Sequence, residues 1–442
     1  MSQKRGTTIL AGAALLAQAA SAGAAPQAPV KQPVTGPVAV YWMSAATSNG
    51  FGGMGGMMGA AGGGGPQRPS MAAMMSMGMG GGPDPNAANH TLVLQLGSSL
   101  KPAGGGPTAE HDAPAGLGVG QVLPLLSPEP QTPAKHEERE PGPPPEYQKP
   151  HGRMLIFWGC GEHAPPGQPY VIDFAKLDPA NAGQMFAGLG RGLSITGMQP
   201  PSPGRNTTYG EWPNRLTRVT VPGDASLAGD HVIKGNYSPE IKFGLTPEQD
   251  FLPPFRLTTN AKNPSGSATL AWRPVDGAAA YFATLMGARN RDEIVMWTSS
   301  STQTSAFSLP DYLSNGEIRR LVASNALMPA SQTSCVIPQE VVAATGQSGM
   351  FQLAAYGDET NIAYPPRPPA PKPWNIAWEV KVRYKSTTGG ILGMDMSQMG
   401  GRHRDSDEPR EPRDPNQPPP KKKRPSLFNP LGGLPGLGTL VP

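Results

Sequence analysis

The stretch from Ser267 to Met286, SATLAWRPVDGAAAYFATLM, decides how the second half of this 442-residue chain is interpreted. Alternate residues from Ala268 to Trp272 are apolar, which is the period of two expected of a β-strand. Pro274 ends this run, because proline has no N–H to donate to a neighbouring strand. Asp276-Gly277 is typical of a turn, and the alternation resumes at Tyr281. We predict two β-strands joined by a short turn.

A tryptophan late in one strand, followed across a proline and a glycine by a tyrosine early in the next, resembles strands B and C of fibronectin type III-like sandwiches. The resemblance covers residues 251–386 and implies a β-sandwich of about seven short strands. Further strand patterns lie at Phe255–Thr258, Glu293–Trp297, Cys335–Ile337, Met350–Tyr356 and Ile376–Tyr384. Leu313–Leu327 has apolar residues at near-helical spacing, which predicts a short helical insertion.

Residues 38–250 are predicted to form a first β-rich domain, which also makes the fold class all-β with two sandwich-like domains. Its strand patterns lie at Val38–Met43, Thr91–Leu96, Arg153–Trp158, Pro169–Phe174, Leu216–Val221 and His231–Phe243. Two insertions, near 49–88 and 101–150, are rich in Gly, Met or Pro, and we predict that they are disordered. The charged, Pro-rich tail at 387–442 receives the same prediction.

The N-terminus has the pattern of an export signal. Lys4 and Arg5 precede an uncharged run, Thr7–Ala20, and then small residues, so residues 1–25 are predicted to be a secretory signal peptide followed by a Pro-rich spacer at 26–37. The run is too short for a stable transmembrane helix, and no other stretch approaches about 20 apolar residues. The chain therefore looks like an exported bacterial protein, periplasmic or secreted, without a transmembrane segment in its mature form.

The charge of the chain gives no sign of nucleic-acid binding. It has 36 basic and 32 acidic residues. Lys4, Arg5 and the run Lys421–Arg424 account for six of the basic residues, and the remainder is close to neutral. A nucleic-acid-binding domain normally shows a basic stripe or patch, so that class of partner is not expected.

Two metal sites and one disulfide are the chemical hypotheses that the sequence offers. Cys160 and His163, with Glu162 between them, have a spacing at which two ligands can share an ion, but a zinc site normally needs four ligands. Thioethers are soft ligands that select Cu(I), and a Met-rich segment provides eight of them: Met54, Met57, Met58, Met71, Met74, Met75, Met77 and Met79. The only two cysteines, Cys160 and Cys335, either form a disulfide in an oxidising compartment or remain as free thiols.

No catalytic motif is found, and no catalytic residue or cofactor is assigned. The seven histidines stand singly: His90, His111, His136, His151, His163, His231 and His403. Five carboxylates are candidates for a glycosidase-like pair: Asp173, Glu211, Asp230, Glu240 and Asp358. Seven aromatic residues are candidates for core or ligand contacts: Trp158, Trp212, Tyr237, Trp272, Trp297, Trp374 and Trp378. We assign Trp272 to the core and Trp212 to a loop that offers a binding surface.

The sequence favours a non-enzymatic envelope binding or scaffolding module, with an envelope protein or a polysaccharide as its partner. Two alternatives remain open, a periplasmic copper-binding protein that uses the Met-rich segment and a hydrolase of envelope polysaccharide. Fold resemblance alone selects none of them, because one fold carries many functions.

Overall fold

The structure is a computed structural model that describes residues 32–50, 87–129, 152–176, 194–290, 292–304, 309–346 and 349–394. Strands contain 43% of these residues and are far more abundant than helices, which confirms the predicted all-β class. The strands are β1 Val34–Thr35, β2 Ala39–Ser48, β3 Asn89–Ser98, β4 Ala109–Asp112, β5 Val122–Pro124, β6 Arg153–Trp158, β7 Tyr170–Asp173, β8 Thr208–Trp212, β9 Gly229–Gly235, β10 Ile241–Leu245, β11 Leu257–Lys262, β12 Ala268–Trp272, β13 Ala278–Asn290, β14 Glu293–Thr298, β15 Met328–Pro329, β16 Ser334–Ile337, β17 Met350–Gly357, β18 Thr360–Tyr364, β19 Trp374–Asn375 and β20 Trp378–Ile391. The helices are α1, Asn315–Ala323, and α2, Gln339–Thr345, with short 3-10 turns at Ala115–Leu117, Phe174–Lys176 and Pro247–Gln249.

One large sheet of eleven strands organises the described chain. Its main order is β7-β6-β14-β13-β17-β20-β2-β3-β8, with β15 paired to β13 and β18 paired to β20. Strands β2 and β20 pair in parallel at the centre, and β6 and β14 also pair in parallel. Strands from both predicted domains therefore share one sheet, and the boundary predicted at 250/251 does not separate two sheets.

Two smaller sheets pack on one face of the large sheet. The β12 sheet has the order β11-β12-β16, and the β9 sheet has the order β10-β9-β4-β5. Leu270 of the first and Ile233 of the second belong to the same buried cluster as Tyr41, Leu94 and Val382 of the large sheet. The architecture is thus two sandwich layers side by side over a common sheet, with one continuous core.

The opening stretch folds as predicted into two strands, β12 and β13. These strands do not pair with each other, because β12 lies in the small β12 sheet and β13 lies between β14 and β17 of the large sheet. The turn at Asp276-Gly277 thus carries the chain across the core, where Gly277 takes a positive φ of 78° that favours glycine. Trp272, as predicted, is buried.

The segment from Asp250 to Arg256 spans the predicted domain boundary and is anchored to the core by two buried side chains. Leu252 and Phe255 are buried in the common core. Its backbone carbonyls accept hydrogen bonds from side chains of the central strands: Thr47 to Leu252 at 2.6 Å, Asn49 to Phe255 at 2.8 Å and Ser386 to Pro253 at 2.9 Å. The predicted boundary therefore falls in a segment that is fixed to the common core, although Pro253 and Arg256 are exposed.

Parts of the segments predicted to be disordered are strands. Within the insertion predicted at 101–150, β4 and β5 form half of the β9 sheet, and Leu117, Leu123 and Leu125 are buried. The tail predicted from residue 387 begins later, because β20 continues to Ile391. The insertion predicted near 49–88 lies outside the described residues except at its two ends. The predicted signal peptide also lies outside them.

The predictions of a loop at Trp212 and of a strand at Leu216–Val221 are wrong. The prediction of a short helix within Leu313–Leu327 is confirmed. Leu216–Val221 is not a strand, and the strand in this region is β8, which ends at Trp212 and buries it. Helix α1 lies within the predicted Leu313–Leu327. It begins after Ser314, whose side chain accepts a hydrogen bond from the Glu317 backbone N–H, a common N-cap arrangement.

A disulfide joins Cys160 to Cys335, which settles the alternative left open by the sequence. It ties the loop after β6 to strand β16 at the edge of the β12 sheet. The same loop donates a backbone hydrogen bond from Gly161 to Val336 at 2.8 Å and accepts one at Glu162 from Gln339 at 3.0 Å. The loop therefore covers an otherwise free strand edge.

Candidate binding groove

A groove lies on the outer face of the large sheet, opposite the two small sheets. Tyr41 and Met43 of β2 are fully buried in the core, so Val40 and Trp42 point to the other face. The parallel register places Trp42 beside Lys381, and it places Val40 beside Glu379. These four side chains form the floor of the groove.

The walls come from segments that are distant in sequence. On one side, residues 199–206 lie over β3, held there by a hydrogen bond from Gln95 Nε2 to the Pro201 carbonyl at 3.3 Å. Gly97 permits this approach, since a Cβ at that position would come within 2.4 Å of the Asn206 side chain. The other side is formed by Asn361–Ala363 of β18 and by Trp374. The groove has a volume of about 480 Å³, within the usual range for ligand pockets.

Several polar groups in the groove retain unused hydrogen-bonding capacity. Among the described residues, the side chains of Gln199 and Glu379 make no hydrogen bond or ion pair to protein. The amide oxygen of Asn206 accepts a hydrogen bond from the Ser202 backbone N–H at 3.1 Å, and that of Asn361 accepts one from Lys381 Nζ at 2.6 Å. Both side-chain NH₂ groups remain as donors. The groove thus presents amide donors and one carboxylate beside the apolar side chains of Val40 and Trp42.

A ladder of cations and aromatic rings continues from the groove along β20. Its members alternate in the order Lys381, Trp42, Arg383, Tyr312 and Lys385, with each cation 4.5–5.5 Å from a ring centroid. The three cations are two residues apart on one strand and so share the outer face. Cation–π contacts of this kind are worth roughly 0.5–2 kcal/mol each, and we name the set the cation–π ladder.

The outer cations of the ladder are neutralised, whereas its centre is not. Lys381 bonds Glu359 at 2.7 Å, and Lys385 bonds Asp311 at 2.7 Å. Arg383 pairs with no carboxylate among the described residues and donates only from Nε to Ser44 Oγ, at 2.7 Å. Desolvation by burial is the main effect on this guanidinium, and it lowers the pKa of Arg383.

A second polar cluster is enclosed in the core and does not reach the groove. Tyr41, His111 and His231 form a hydrogen-bonded chain, with Tyr41 Oη 3.0 Å from His111 Nδ1 and His111 Nε2 2.9 Å from His231 Nδ1. His231 Nε2 ends the chain 2.8 Å from the Leu227 carbonyl. Because that carbonyl can only accept, we assign the proton to His231 Nε2, so that His111 donates to His231 and Tyr41 donates to His111.

Burial determines the charge of this cluster. It lowers the pKa of His111 to about 3, with repulsion from His231 as the second cause, and it also lowers the pKa of His231. Both rings are therefore neutral at physiological pH. No sequence pattern predicts this contact, because the two histidines are 120 residues apart and meet only through the pairing of β4 with β9.

The structure distributes the aromatic candidates mainly to the core. Trp212, Tyr237, Trp272, Trp297 and Trp378 are buried, and Trp158 is half-buried at the outer face of β6. Trp374 is the one member of the predicted set that lines the groove. Trp42 was missed, although the alternation in VAVYWM already placed it on the opposite face from Tyr41 and Met43.

The candidate metal and catalytic residues are not brought together. Cys160 is held in the disulfide and supplies no thiolate, and His163 instead contacts Glu340 at 3.1 Å. Within the described ranges, no group of three or more His, Cys, Asp or Glu side chains is placed to hold an ion. Asp173 and Glu211 lie on β7 and β8, at opposite ends of the large sheet. The eight methionines of the copper hypothesis lie outside the described residues, so that hypothesis stays a prediction.

Comparison with protein families and curated proteins does not assign this chain to a family. No family model matches this chain. No curated protein matches it closely enough to count as a relative. In the part of the chain that the structure describes, neither helix is long and apolar enough to cross a membrane.

Proposed function

We propose that this protein is an exported, non-enzymatic binding module whose groove receives a segment of an envelope polysaccharide. The groove is the observation that carries the proposal. It combines the edges of Trp42 and Trp374 with unpaired amide and carboxylate groups on a rigid sheet. Sugars offer apolar ring faces and paired hydroxyls, and aromatic rings beside planar amide and carboxylate groups complement both.

The number of carboxylates supports binding rather than hydrolysis. Glu379 is the only carboxylate among the described residues that line the groove. Glycosidases usually need two, about 5–9.5 Å apart, to act as acid and as base or nucleophile. Glu359, which bonds the groove residue Lys381 at 2.7 Å, does not itself line the groove.

Two further observations support the export and the domain type within this proposal. The Cys160–Cys335 bond suits an oxidising compartment such as the periplasm or the cell exterior. The fibronectin type III-like proposal for residues 251–386 is supported by the division of their strands. In immunoglobulin-like sandwiches strands B and C lie in opposite sheets, and β12 and β13 do so here.

The proposal is tested by titrating the mature, oxidised protein with soluble fragments of envelope polysaccharides while its tryptophan fluorescence is recorded. We expect saturable binding, weakened at least tenfold by Asn361→Ala combined with Trp374→Ala. The matched control is Arg273→Ala, an exposed side chain at the β12–β13 turn, which should bind as the wild type does. A reducing-end assay should detect no cleavage.

Two results would count against the proposal. Wild-type affinity in the Asn361/Trp374 double variant would remove the groove as the site. Release of new reducing ends by the wild type, abolished in Glu379→Gln, would favour the hydrolase alternative.

A further inference from the structure

The cations at and beside the groove fall into two groups. Lys381 and Lys385 are each paired with a carboxylate at 2.7 Å. Arg205 and Arg383 have no carboxylate partner among the described residues, and Arg205 is held only by its Nη1 donating to the Pro200 carbonyl at 2.6 Å. Arg367, which stacks on Trp374 of the groove wall at 5.6 Å and donates to Gln32, also has no carboxylate partner among the described residues. The surface therefore has three guanidinium groups whose charge the described residues do not neutralise.

Arg383 is held in an orientation that suits an anion. Its guanidinium carbon lies 4.9 Å from the Trp42 ring centroid and 4.5 Å from that of Tyr312, so two rings fix its position. Nε is used by Ser44. The two terminal nitrogens have no partner in the described chain, and neither is fully buried. A planar fork of this kind binds a carboxylate through two parallel hydrogen bonds.

The groove and this fork are continuous. Trp42 lines the groove and also stacks on Arg383, and Lys381 of the groove floor precedes Arg383 by two residues on β20. That step is about 7 Å along a strand. The Trp42 ring is itself buried against Lys381 and Arg383, so a saccharide would lie in the groove beside it, with a ring substituent directed toward Arg383.

The nearby carboxylates do not cancel this preference. Asp311 and Glu359, the acidic groups closest to Arg383, are already engaged by Lys385 and Lys381. Glu379 has no cation partner, but it lies one step further along β20 on the far side of Lys381. An anionic group would therefore find its favourable position at the Arg383 end of the groove.

We infer that the polysaccharide bound in the groove is acidic and that one sugar carboxylate docks on the terminal nitrogens of Arg383, with Arg205 contacting the chain from the wall. This inference rests on the proposed function and adds the chemical class of the ligand. It predicts that the carboxylate, rather than the sugar backbone alone, determines affinity.

The test compares two probes with the same backbone, tetragalacturonate and its carboxyl-reduced form, on the full mature protein by isothermal titration calorimetry. We expect the acidic probe to bind at least tenfold more tightly and to weaken as NaCl is raised, because charge pairing is screened. Arg383→Gln should abolish the difference in affinity between the two probes. Arg383→Lys should retain part of it, and Arg273→Gln should retain all of it.

Each outcome is decisive. Equal affinity for both probes would overturn the acidic inference while leaving the proposed function standing. Absence of binding by these probes and by every neutral polysaccharide fragment would overturn both. Tighter binding of a polyglycerol phosphate probe would overturn the carboxylate inference and indicate that the ligand group at Arg383 is a phosphate. If Arg383→Gln does not fold, as judged by circular dichroism, the salt dependence of the wild type and the Arg383→Lys and Arg205→Gln variants still decide the question.

Discussion

Acidification below about pH 6.5 is expected to destabilise the protein through the buried pair His111 and His231. Both rings are fully buried, and burial lowers both pKa values, that of His111 to about 3. The unfolded chain, whose histidines have an ordinary pKa near 6.5, takes up protons that the folded protein does not. The free energy of unfolding should therefore stay constant above about pH 7 and fall as the pH drops from about 6.5 to about 3.

The size of the effect follows from the same pKa difference. In that window each pH unit costs about 1.4 kcal/mol for every histidine that stays neutral in the fold. For His111 alone the loss between pH 7 and pH 5 is about 2 kcal/mol, since its titration in the unfolded chain begins near pH 6.5. The depression of the His231 pKa adds to this loss in the same direction.

The assay is urea unfolding, monitored by tryptophan fluorescence at pH 7, 6 and 5. In His111→Gln the free energy of unfolding should depend less on pH than in the wild type, by about 2 kcal/mol between pH 7 and 5. Tyr41→Phe is the control, because it removes the hydroxyl bonded to His111 but no group that titrates in this range. A His111→Gln variant that keeps the full wild-type pH dependence would refute the reasoning.

Three further perturbations test the packing. Replacing Cys160 and Cys335 by serine should cost about 5 kcal/mol in urea unfolding, since the bond joins residues 175 positions apart, and a loss below about 1 kcal/mol would contradict this. Gly210→Ala should cost about 1–3 kcal/mol, because its Cβ would lie 2.9 Å from a backbone oxygen, whereas Gly106→Ala, in open space, should match the wild type. Arg383→Lys should cost about 1 kcal/mol of cation–π stacking, and thermal unfolding at wild-type stability would argue that the ladder contributes nothing.

Local strand patterns were predictable from the sequence where the alternation was strong. The run Arg153–Trp158 matches β6 at both ends, and the Ser267–Met286 stretch gives β12 and β13. Short strands in Gly- and Pro-rich surroundings were not predictable. β4 and β5 have only four and three residues, too few to show a period, and they are stable because they complete the β9 sheet.

The partners of each strand were beyond the sequence, and so was the groove. Alternation indicates that Trp42 faces away from Tyr41, but it does not indicate that Lys381, more than 300 residues later, lies beside it. The Pro253-Pro254 pair suggested a domain boundary because proline breaks strands and favours loops. Its neighbours Leu252 and Phe255 are nevertheless buried, and side chains of Asn49 and Ser386 hold the backbone of the segment by hydrogen bonds, a tertiary arrangement that no local pattern reports.

The pairing of β2 with β20 has a consequence for how the molecule comes into being. Ser44 and Arg383, neighbours at the centre of the large sheet, are 339 residues apart in the chain. The first long strand made by the ribosome must therefore wait for the last one, and the core cannot close stepwise from the N-terminus during synthesis. Such long-range closure makes folding slow, and the unfinished chain exposes unpaired strand edges meanwhile. Until residue 391 has been added, β2 lacks its parallel partner β20, and we expect that edge of the nascent chain to stay exposed.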